Sequence, residues 1–265
     1  MLRRVLTTTV DLWELALVAL LLGLVVAALT RREMSTVQSA SEIDYFRSKY
    51  GPHHHSEREE EWLIRDFFQD QHGGTFVDVG ASDYEADSKT YYLETVLGWS
   101  GIAVDPQSEF AAGYAAHRPH TKFSSFFVSS VSSRTEKLYI VHGNSLVASG
   151  DRAFASQFGT ISEVRDVPTI SLTDLLNREQ VRDLDLLTID VELSEPEALK
   201  GFDIERFRPK LVCIEALLPV RQQILDYFAR HRYVAVAKYL WVDRENLYFT
   251  PLDTQPIPAT GGQVP

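Results

Sequence analysis

The sequence has very little cysteine. Cys213 is the only one among 265 residues, so neither an intrachain disulfide nor a metal site with several cysteine ligands is possible. Cys213 lies in an apolar run, which favours an inert thiol in the core. The chain also lacks an Asn-x-Ser/Thr glycosylation sequon. These absences exclude a small disulfide-stapled fold, but they do not decide the compartment.

Positive charge is scarce as well. The 26 lysine and arginine residues are outnumbered by 37 acidic residues, which gives a formal net charge of −11. Binding to nucleic acid through the phosphate backbone is therefore not expected. The hydrophobic fraction of 45% is enough for a core of ordinary size, and the length fits one domain with appendages.

The common nucleotide-binding motifs are missing too. An apolar run at 76–79 ends at Gly80, and a polar loop, a helix-compatible segment and a second apolar run ending at Asp105 follow. This pattern predicts a strand–loop–helix–strand unit, the first part of a doubly wound sheet. Ser82 and Glu85 stand where a dinucleotide fingerprint needs glycines, and the lysine motif of a P-loop does not follow.

The loop after Gly80 favours a cationic ligand, because residues 75–88 contain no basic residue. The acids of this segment are Asp78, Asp83, Glu85 and Asp87. They would repel a pyrophosphate and attract a sulfonium, so the loop favours S-adenosylmethionine over NAD or ATP. Gly80 would let the backbone approach the ligand, and Asp105 stands where such folds bind ribose hydroxyls. The alternative is a unit without a ligand, in which Gly80 only turns the chain and Asp105 only caps the next helix.

A pair of acids ends a later, mostly apolar strand that is predicted at 184–192. Asp190 and Glu192 are two residues apart, so both side chains lie on one face while the chain stays extended. Two carboxylates at a pocket mouth could act as a general base or hold a divalent cation, although the sequence requires no metal. Asp190 is the better candidate base, with Glu192 as its partner. Alternatively, Glu192 merely begins the following helix.

The ends of the chain predict appendages to the domain. Residues 12–29 are apolar apart from Glu14, and as a helix they would span roughly 27 Å, close to the thickness of a bilayer core. We therefore predict a membrane anchor within 1–32, on a side that the flanking charges do not assign, with a cleaved signal peptide as the alternative. A stalk is expected at 33–55, one α/β domain at 56–250 and a disordered tail at 251–265.

Three smaller expectations concern single segments. The three histidines at 53–55 indicate a mobile loop or a tag rather than a metal site. A third strand is expected over 122–128. Residues 143–159 show no clear period, which favours a lid or substrate loop.

Three blocks of the sequence resemble the FkbM-type S-adenosylmethionine-dependent methyltransferases. They are 76–106, with F-V-D-V-G-A-S-D and S-K-T-Y-Y-L-E, then 167–176, and 186–215, with L-L-T-I-D-V-E. The resemblance implies a mostly parallel, seven-stranded methyltransferase sheet and S-adenosylmethionine as cofactor. It also implies O-methylation, and we expect the acceptor to be a hydroxyl of a small molecule, a glycan or a lipid-linked molecule.

The resemblance also implies the roles of individual residues. Asp105 would bind the ribose, Ser125 would lie near the adenine, and the acidic pair at 190 and 192 falls on the family's D-V-E. The cofactor loop would be formed by Asp78, Gly80, Ala81, Ser82 and Asp83.

Two departures from the family pattern lead to a second hypothesis. The family usually has glycines where Tyr84 and Leu193 stand, and we expect Tyr84 to narrow the cofactor loop and Leu193 to alter the turn beside the acids. Either change would weaken cofactor binding. The second hypothesis is therefore a membrane-anchored relative that acts in trafficking or protein interaction without catalysis.

Overall fold

The computed structural model describes residues 40–254, in which short strands and helices alternate. The strands are β1 (Thr75–Val79), β2 (Ser100–Val104), β3 (Thr121–Ser124), β4 (Phe127–Val128), β5 (Thr135–Val141), β6 (Asn144–Ser149), β7 (Ile161–Ile170), β8 (Leu186–Ile189), β9 (Leu211–Glu215), β10 (Tyr233–Ala235) and β11 (Asn246–Pro251). The helices are α1 (40–50), α2 (Glu60–Phe68), α3 (Tyr91–Thr95), α4 (Ala111–His117), α5 (Arg152–Ala155), α6 (Leu172–Arg178), α7 (Glu195–Lys200), α8 (Ile204–Phe207) and α9 (Leu218–Arg230). Short 3-10 turns lie at Ser108–Phe110, Ala237–Tyr239 and Leu252–Thr254.

The larger sheet has seven strands in the order β10-β11-β9-β8-β1-β2-β3. β11 runs antiparallel to its neighbours β9 and β10, and every other neighbouring pair is parallel. This arrangement confirms the predicted mostly parallel, seven-stranded α/β sheet. β1 lies between β2 and β8, with β2 and β3 on one side of it and β8 and β9 on the other. The order of the strands therefore reverses at β1. Ligands of open α/β sheets bind beyond the carboxyl ends of the strands at such a switch point.

Apolar side chains cover both faces of this sheet, because successive residues of a strand point to opposite sides. In β1, Phe76 joins a core cluster with the α2 residues Trp62 and Leu63, whereas Val77 and Val79 join the cluster on the opposite face. Helices therefore pack on both faces, as the apolar strand sequences require.

A second sheet has four strands in the order β4-β7-β5-β6. The expected third strand over 122–128 is wrong in its extent, because the chain leaves the large sheet after Ser124 and β4 pairs with β7 instead. The segment 143–159, for which no regular structure is expected from the sequence, forms β6 and α5.

The start of the described region packs firmly on the domain. Phe46 of α1 is buried, and Lys49 forms an ion pair with the buried Asp66 at 2.8 Å. The ring of His54 contacts that of Trp62 at 4.6 Å. Part of the predicted stalk is therefore attached to the domain.

None of the helices within residues 40–254 is long and apolar enough to cross a bilayer. The predicted anchor at 12–29 lies outside the described residues, as does most of the predicted tail at 251–265. The first residues of that tail are part of the fold, because Pro251 ends β11 and Leu252–Thr254 forms a 3-10 turn.

Candidate functional site

The backbone at the ends of β1, β2 and β8 forms the frame of the site. The N–H of Gly80 donates to the carbonyl of Val104 at 2.8 Å, and the N–H of Asp190 donates to that of Val79 at 2.9 Å. Gly80 has φ +80°, and a Cβ atom placed on it would lie 1.7 Å from the carbonyl oxygen of Asp190. Glycine is required here because the backbone just after β8 passes so close. From the sequence, the close approach at Gly80 was expected to be that of a ligand.

A cavity of about 430 Å³ opens beside this frame. Its volume lies within the range of small-molecule sites. The predicted site residues that line it are Gly80, Ser82, Asp105, Asp190 and Glu192. The apolar part of its wall includes Phe126, Phe127, Leu138, Leu146, Phe154 and Phe158. The segment 143–159 therefore contributes to the wall, as a substrate loop would.

The structure shows one of the two roles that the sequence left open for Asp105, that of a cap. Its carboxylate accepts the N–H of Gln107 at 2.8 Å and that of Ser82 at 3.1 Å, so it caps the turn after β2 and holds the loop after β1. Burial raises its pKa to about 6, against the opposing effect of these two bonds. Each carboxylate oxygen can accept more than one hydrogen bond. Asp105 therefore keeps acceptor capacity toward the cavity that it lines.

Asp190 is paired with a buried lysine. Its Oδ2 lies 2.8 Å from Nζ of Lys89, which is 8% exposed. Burial opposes the charge of the lysine, but the carboxylate of Asp190 holds the pKa of Lys89 well above its ordinary value. Lys89 is not among the site residues predicted from the sequence, although it lies in the S-K-T-Y-Y-L-E block.

Glu192 lines the same cavity and makes no ion pair within residues 40–254. Burial, together with the charges of Asp190 and Glu195, raises its pKa to about 8. Its backbone is left-handed, with φ +52°, and its carbonyl accepts the hydroxyl of Ser149 at 2.8 Å. Glu192 thus lies in the cavity wall and has a carboxyl whose pKa is raised to about 8.

The two departures from the family pattern have different structural consequences. Leu193 has φ +73°, so it adopts the left-handed backbone that favours the family's glycine. Tyr84 stacks on the ring of His117 at 4.5 Å, and its carbonyl accepts from Arg118. Because Tyr84 packs against α4 and does not line the main cavity, it does not narrow that cavity.

Four other predicted site residues lie outside the cavity wall. Asp78 is buried, and its carboxylate accepts hydrogen bonds from the hydroxyls of Thr90 and Thr188. The remaining three contact the protein as follows: the carbonyl of Ala81 accepts from Tyr114, the carboxylate of Asp83 accepts from the N–H groups of Glu85 and Ala86, and the hydroxyl of Ser125 donates to the carbonyl of Pro106.

Further acids near the cavity were not predicted as site residues. Glu215 lines the cavity at the end of β9. Burial is the main cause that raises its pKa to about 10, and the charges of Asp190 and Glu192 add to it. Glu195 lies behind the wall, and burial raises its pKa to about 7. The sequence contained one sign of this: the apolar run of β9 leads into an acid, as the run of β8 does at Asp190. In the part of the chain that the structure describes, no three metal-ligating side chains are grouped to hold an ion.

Comparison with known proteins identifies the family. A model of the methyltransferase FkbM domain matches residues 78–235, more than half of the chain. The chain belongs to the FkbM methyltransferase family. No curated protein sequence matches it significantly.

Two solved structures are similar in fold to this FkbM methyltransferase. A TehB-like SAM-dependent methyltransferase from Corynebacterium glutamicum has a TM-score of 0.41 and 13% identity, and the match covers 83% of this chain and 99% of that chain. A precorrin-6y C5,15-methyltransferase from Geobacter metallireducens has a TM-score of 0.38 and 9% identity, and the match covers 71% and 84% of the two chains.

Membership of the FkbM family implies S-adenosylmethionine as the methyl donor, and the site fits this molecule. The carboxyl-rich wall suits a sulfonium and an ammonium group. Asp105 retains acceptor capacity for ribose hydroxyls, and the Gly80 turn lines the cavity beside it.

We expect the free energy of unfolding of the full chain to fall as the pH rises from about 5 to about 8. Burial raises the pKa of Glu192 to about 8 and that of Glu195 to about 7 in the folded state, from an ordinary value of 4.5. Burial likewise raises the pKa of Asp105 and of Asp243 to about 6. Across this interval the unfolded chain has released protons that the folded chain retains. The stability from these groups is therefore complete below their unfolded pKa values and is lost as the pH rises through the folded ones.

Urea titrations at several pH values measure this dependence. Glu192→Gln should flatten the upper part of the profile, whereas Glu136→Gln, a change at an exposed residue of β5, should leave its slope unchanged. A wild-type profile that is flat or rises over this interval contradicts the expectation.

Proposed function

We propose that this FkbM methyltransferase transfers a methyl group from S-adenosylmethionine to an oxygen atom of an acceptor bound in the cavity. The observation that carries the proposal is the position of the Glu192 carboxyl. It lines the cavity beside the Gly80 turn and Asp105, and its pKa is raised to about 8. A general base works best when its pKa lies near the working pH.

The donor would be held by the residues at the ends of β1 and β2. Gly80 and Ser82 line the cavity at the turn after β1, and Asp105 would accept hydrogen bonds from the ribose hydroxyls. When bound, S-adenosylmethionine supplies an electrophilic methyl group on a positively charged sulfur.

The protein would align the acceptor and remove its proton. In the transfer, one carbon–sulfur bond breaks and one carbon–oxygen bond forms, and the hydroxyl proton must leave. We assign that proton to Glu192, because the carboxylate of Asp190 is already paired with Lys89 at 2.8 Å. Asp190 is then a charged neighbour that keeps the pKa of Glu192 high.

Binding of S-adenosylhomocysteine, the demethylated product, tests the donor site. We expect the full chain to bind it and Asp105→Asn to weaken the binding about 30- to 150-fold, because charge-assisted hydrogen bonds contribute roughly 2–3 kcal/mol. Isothermal titration calorimetry measures both affinities.

Asp166→Asn is a suitable control, because Asp166 lies on the exposed side of β7 and does not line the cavity. Its affinity should equal that of the wild type. An Asp105→Asn protein that binds as tightly as the wild type refutes the ribose role. If the folded wild-type chain binds neither donor nor product, the interaction-protein hypothesis is favoured instead.

Glu192→Gln tests the transfer step. With methyl-labelled S-adenosylmethionine and a panel of hydroxylated acceptors, we expect this variant to transfer label about 10²- to 10⁴-fold more slowly than the wild type, because the proton acceptor is lost. Its affinity for S-adenosylhomocysteine should change little.

The pH profile gives an independent readout of the same step. Wild-type transfer should rise with pH as Glu192 loses its proton, and the Glu192→Gln variant should lose that rise. Transfer by Glu192→Gln at the wild-type rate would show that another group accepts the proton.

We also propose that the domain is tethered to a membrane through residues 12–29. The support is the apolar sequence of this segment, which contains one charged residue and would be long enough as a helix to span the bilayer core. The side of the membrane is left open.

Extraction of cell membranes tests the tether. The full chain should stay in the membrane fraction after high salt and after alkali, and detergent should release it. Release by alkali, or a mature protein that begins near residue 30, excludes the anchor.

A further inference from the structure

The main cavity contains more acid than its own cations neutralise. Two basic residues line it, and both are paired within the described part of the chain: Lys89 with Asp190, and Arg58 with Glu245, each at 2.8 Å. The acids that line it are Glu57, Asp87, Asp105, Asp190, Glu192, Glu215 and Glu245. The wall therefore keeps a surplus of carboxyl groups over cations after its internal ion pairs are counted.

Glu215 is the most unusual of these acids. It is 9% exposed, it lines the cavity, and its Oε2 has no hydrogen-bond partner within residues 40–254. A buried carboxyl oxygen without a partner is costly, and native proteins keep few of them. Glu215 therefore lies in the cavity wall with hydrogen-bonding capacity that the described part of the protein does not use.

Neighbouring carboxyls repel the charge on Glu215. The charges of Asp190 and Glu192 add to the effect of burial in raising its pKa, and Asp190 also acts on Glu57 at the exposed rim. Like charges that share a site disfavour ionisation, and an opposite charge placed among them reverses the effect. A cation bound between these groups would thus relieve their repulsion.

One bound methyl donor would not pair with all of these carboxyl groups. It carries a sulfonium, an ammonium and a carboxylate, so its net charge is one positive unit. Asp105 and the Gly80 turn lie at the β1–β2 end of the wall. Glu215 is the last residue of β9, which lies on the far side of β8 from β1. The acids at the β9 end therefore remain available for the acceptor.

We propose that the acceptor is a hydroxyl-bearing amine whose ammonium group is bound by Glu215, with Glu57 at the rim as a second partner. The apolar wall formed by Leu146, Phe154 and Phe158 would contact the body of the same molecule. This inference rests on the proposed methyl transfer and adds the class of acceptor.

A pair of probes of matched shape tests the charge preference. Tyramine carries a ring, a hydroxyl and an ammonium group, and 4-propylphenol replaces the ammonium with a methyl group. Calorimetry on the full chain, with and without saturating S-adenosylhomocysteine, should show tyramine binding at least about tenfold more tightly, since hydrogen bonds to charged groups are the stronger ones.

Substitutions locate the preference within the cavity. Glu215→Gln should abolish most of the preference for tyramine. Glu57→Gln should reduce that preference a few-fold, and because Glu57 is exposed, this variant should fold. Glu136→Gln, outside the cavity, should leave it intact.

The outcomes separate this inference from the proposed function. Equal affinity for the two probes, including failure of both to bind, overturns the inference, and so does a preference that survives Glu215→Gln. Loss of S-adenosylhomocysteine binding in Glu215→Gln would assign the residue to the donor and also overturn it. If the wild type does not bind S-adenosylhomocysteine, that result counts against methyl transfer. The titrations of tyramine and 4-propylphenol without S-adenosylhomocysteine still measure the charge preference.

Discussion

The ion pair between the buried Lys89 and the partly exposed Asp190 sets the charge balance of the site. It joins the segment before α3 to the loop after β8, across 101 residues of sequence. Removing one partner of such a pair leaves an uncompensated buried charge, which typically costs about 3–5 kcal/mol. The same lysine opposes the pKa increases of Glu57, Glu192 and Glu215. Lys89 is therefore the shared positive neighbour of these three acids and of Asp190.

The backbone after β8, which carries Glu192, adopts an unfavourable conformation. Glu192 and Leu193 both have positive φ, and a residue other than glycine in that region costs about 1–3 kcal/mol. Two contacts hold the turn: the hydroxyl of Ser149 donates to the carbonyl of Glu192, and the carboxylate of Glu195 accepts the N–H of Val191 at 3.0 Å. The first contact also joins the turn to β6, so the second sheet that forms part of the cavity wall supports the loop of the proposed base.

The sequence predicted the parts of the fold that depend on local pattern. Apolar runs bounded by turns identified β1 and β9, and the carboxyl ends of parallel strands brought Asp105, Asp190 and Glu192 to one cavity. The second sheet was missed because β5 and β7 pair over many intervening residues, with little apolar alternation in β7. The role of Asp78 was not predictable for a related reason: its partner Thr188 is 110 residues away, and only the folded sheet brings the two side chains together.

The raised pKa of Glu192 connects donor binding to the proton transfer. With a pKa of about 8, the carboxyl is mostly protonated at pH 7 and is then unable to accept a proton. A positive charge within roughly 4–6 Å lowers the pKa of a carboxyl by about 1–3 units. Glu192 would therefore ionise when a cationic donor enters the cavity, and the base would become active only in the complex that can use it. Its neighbours Asp190 and Glu195 maintain this dependence, because they keep the carboxyl protonated until a compensating charge is bound.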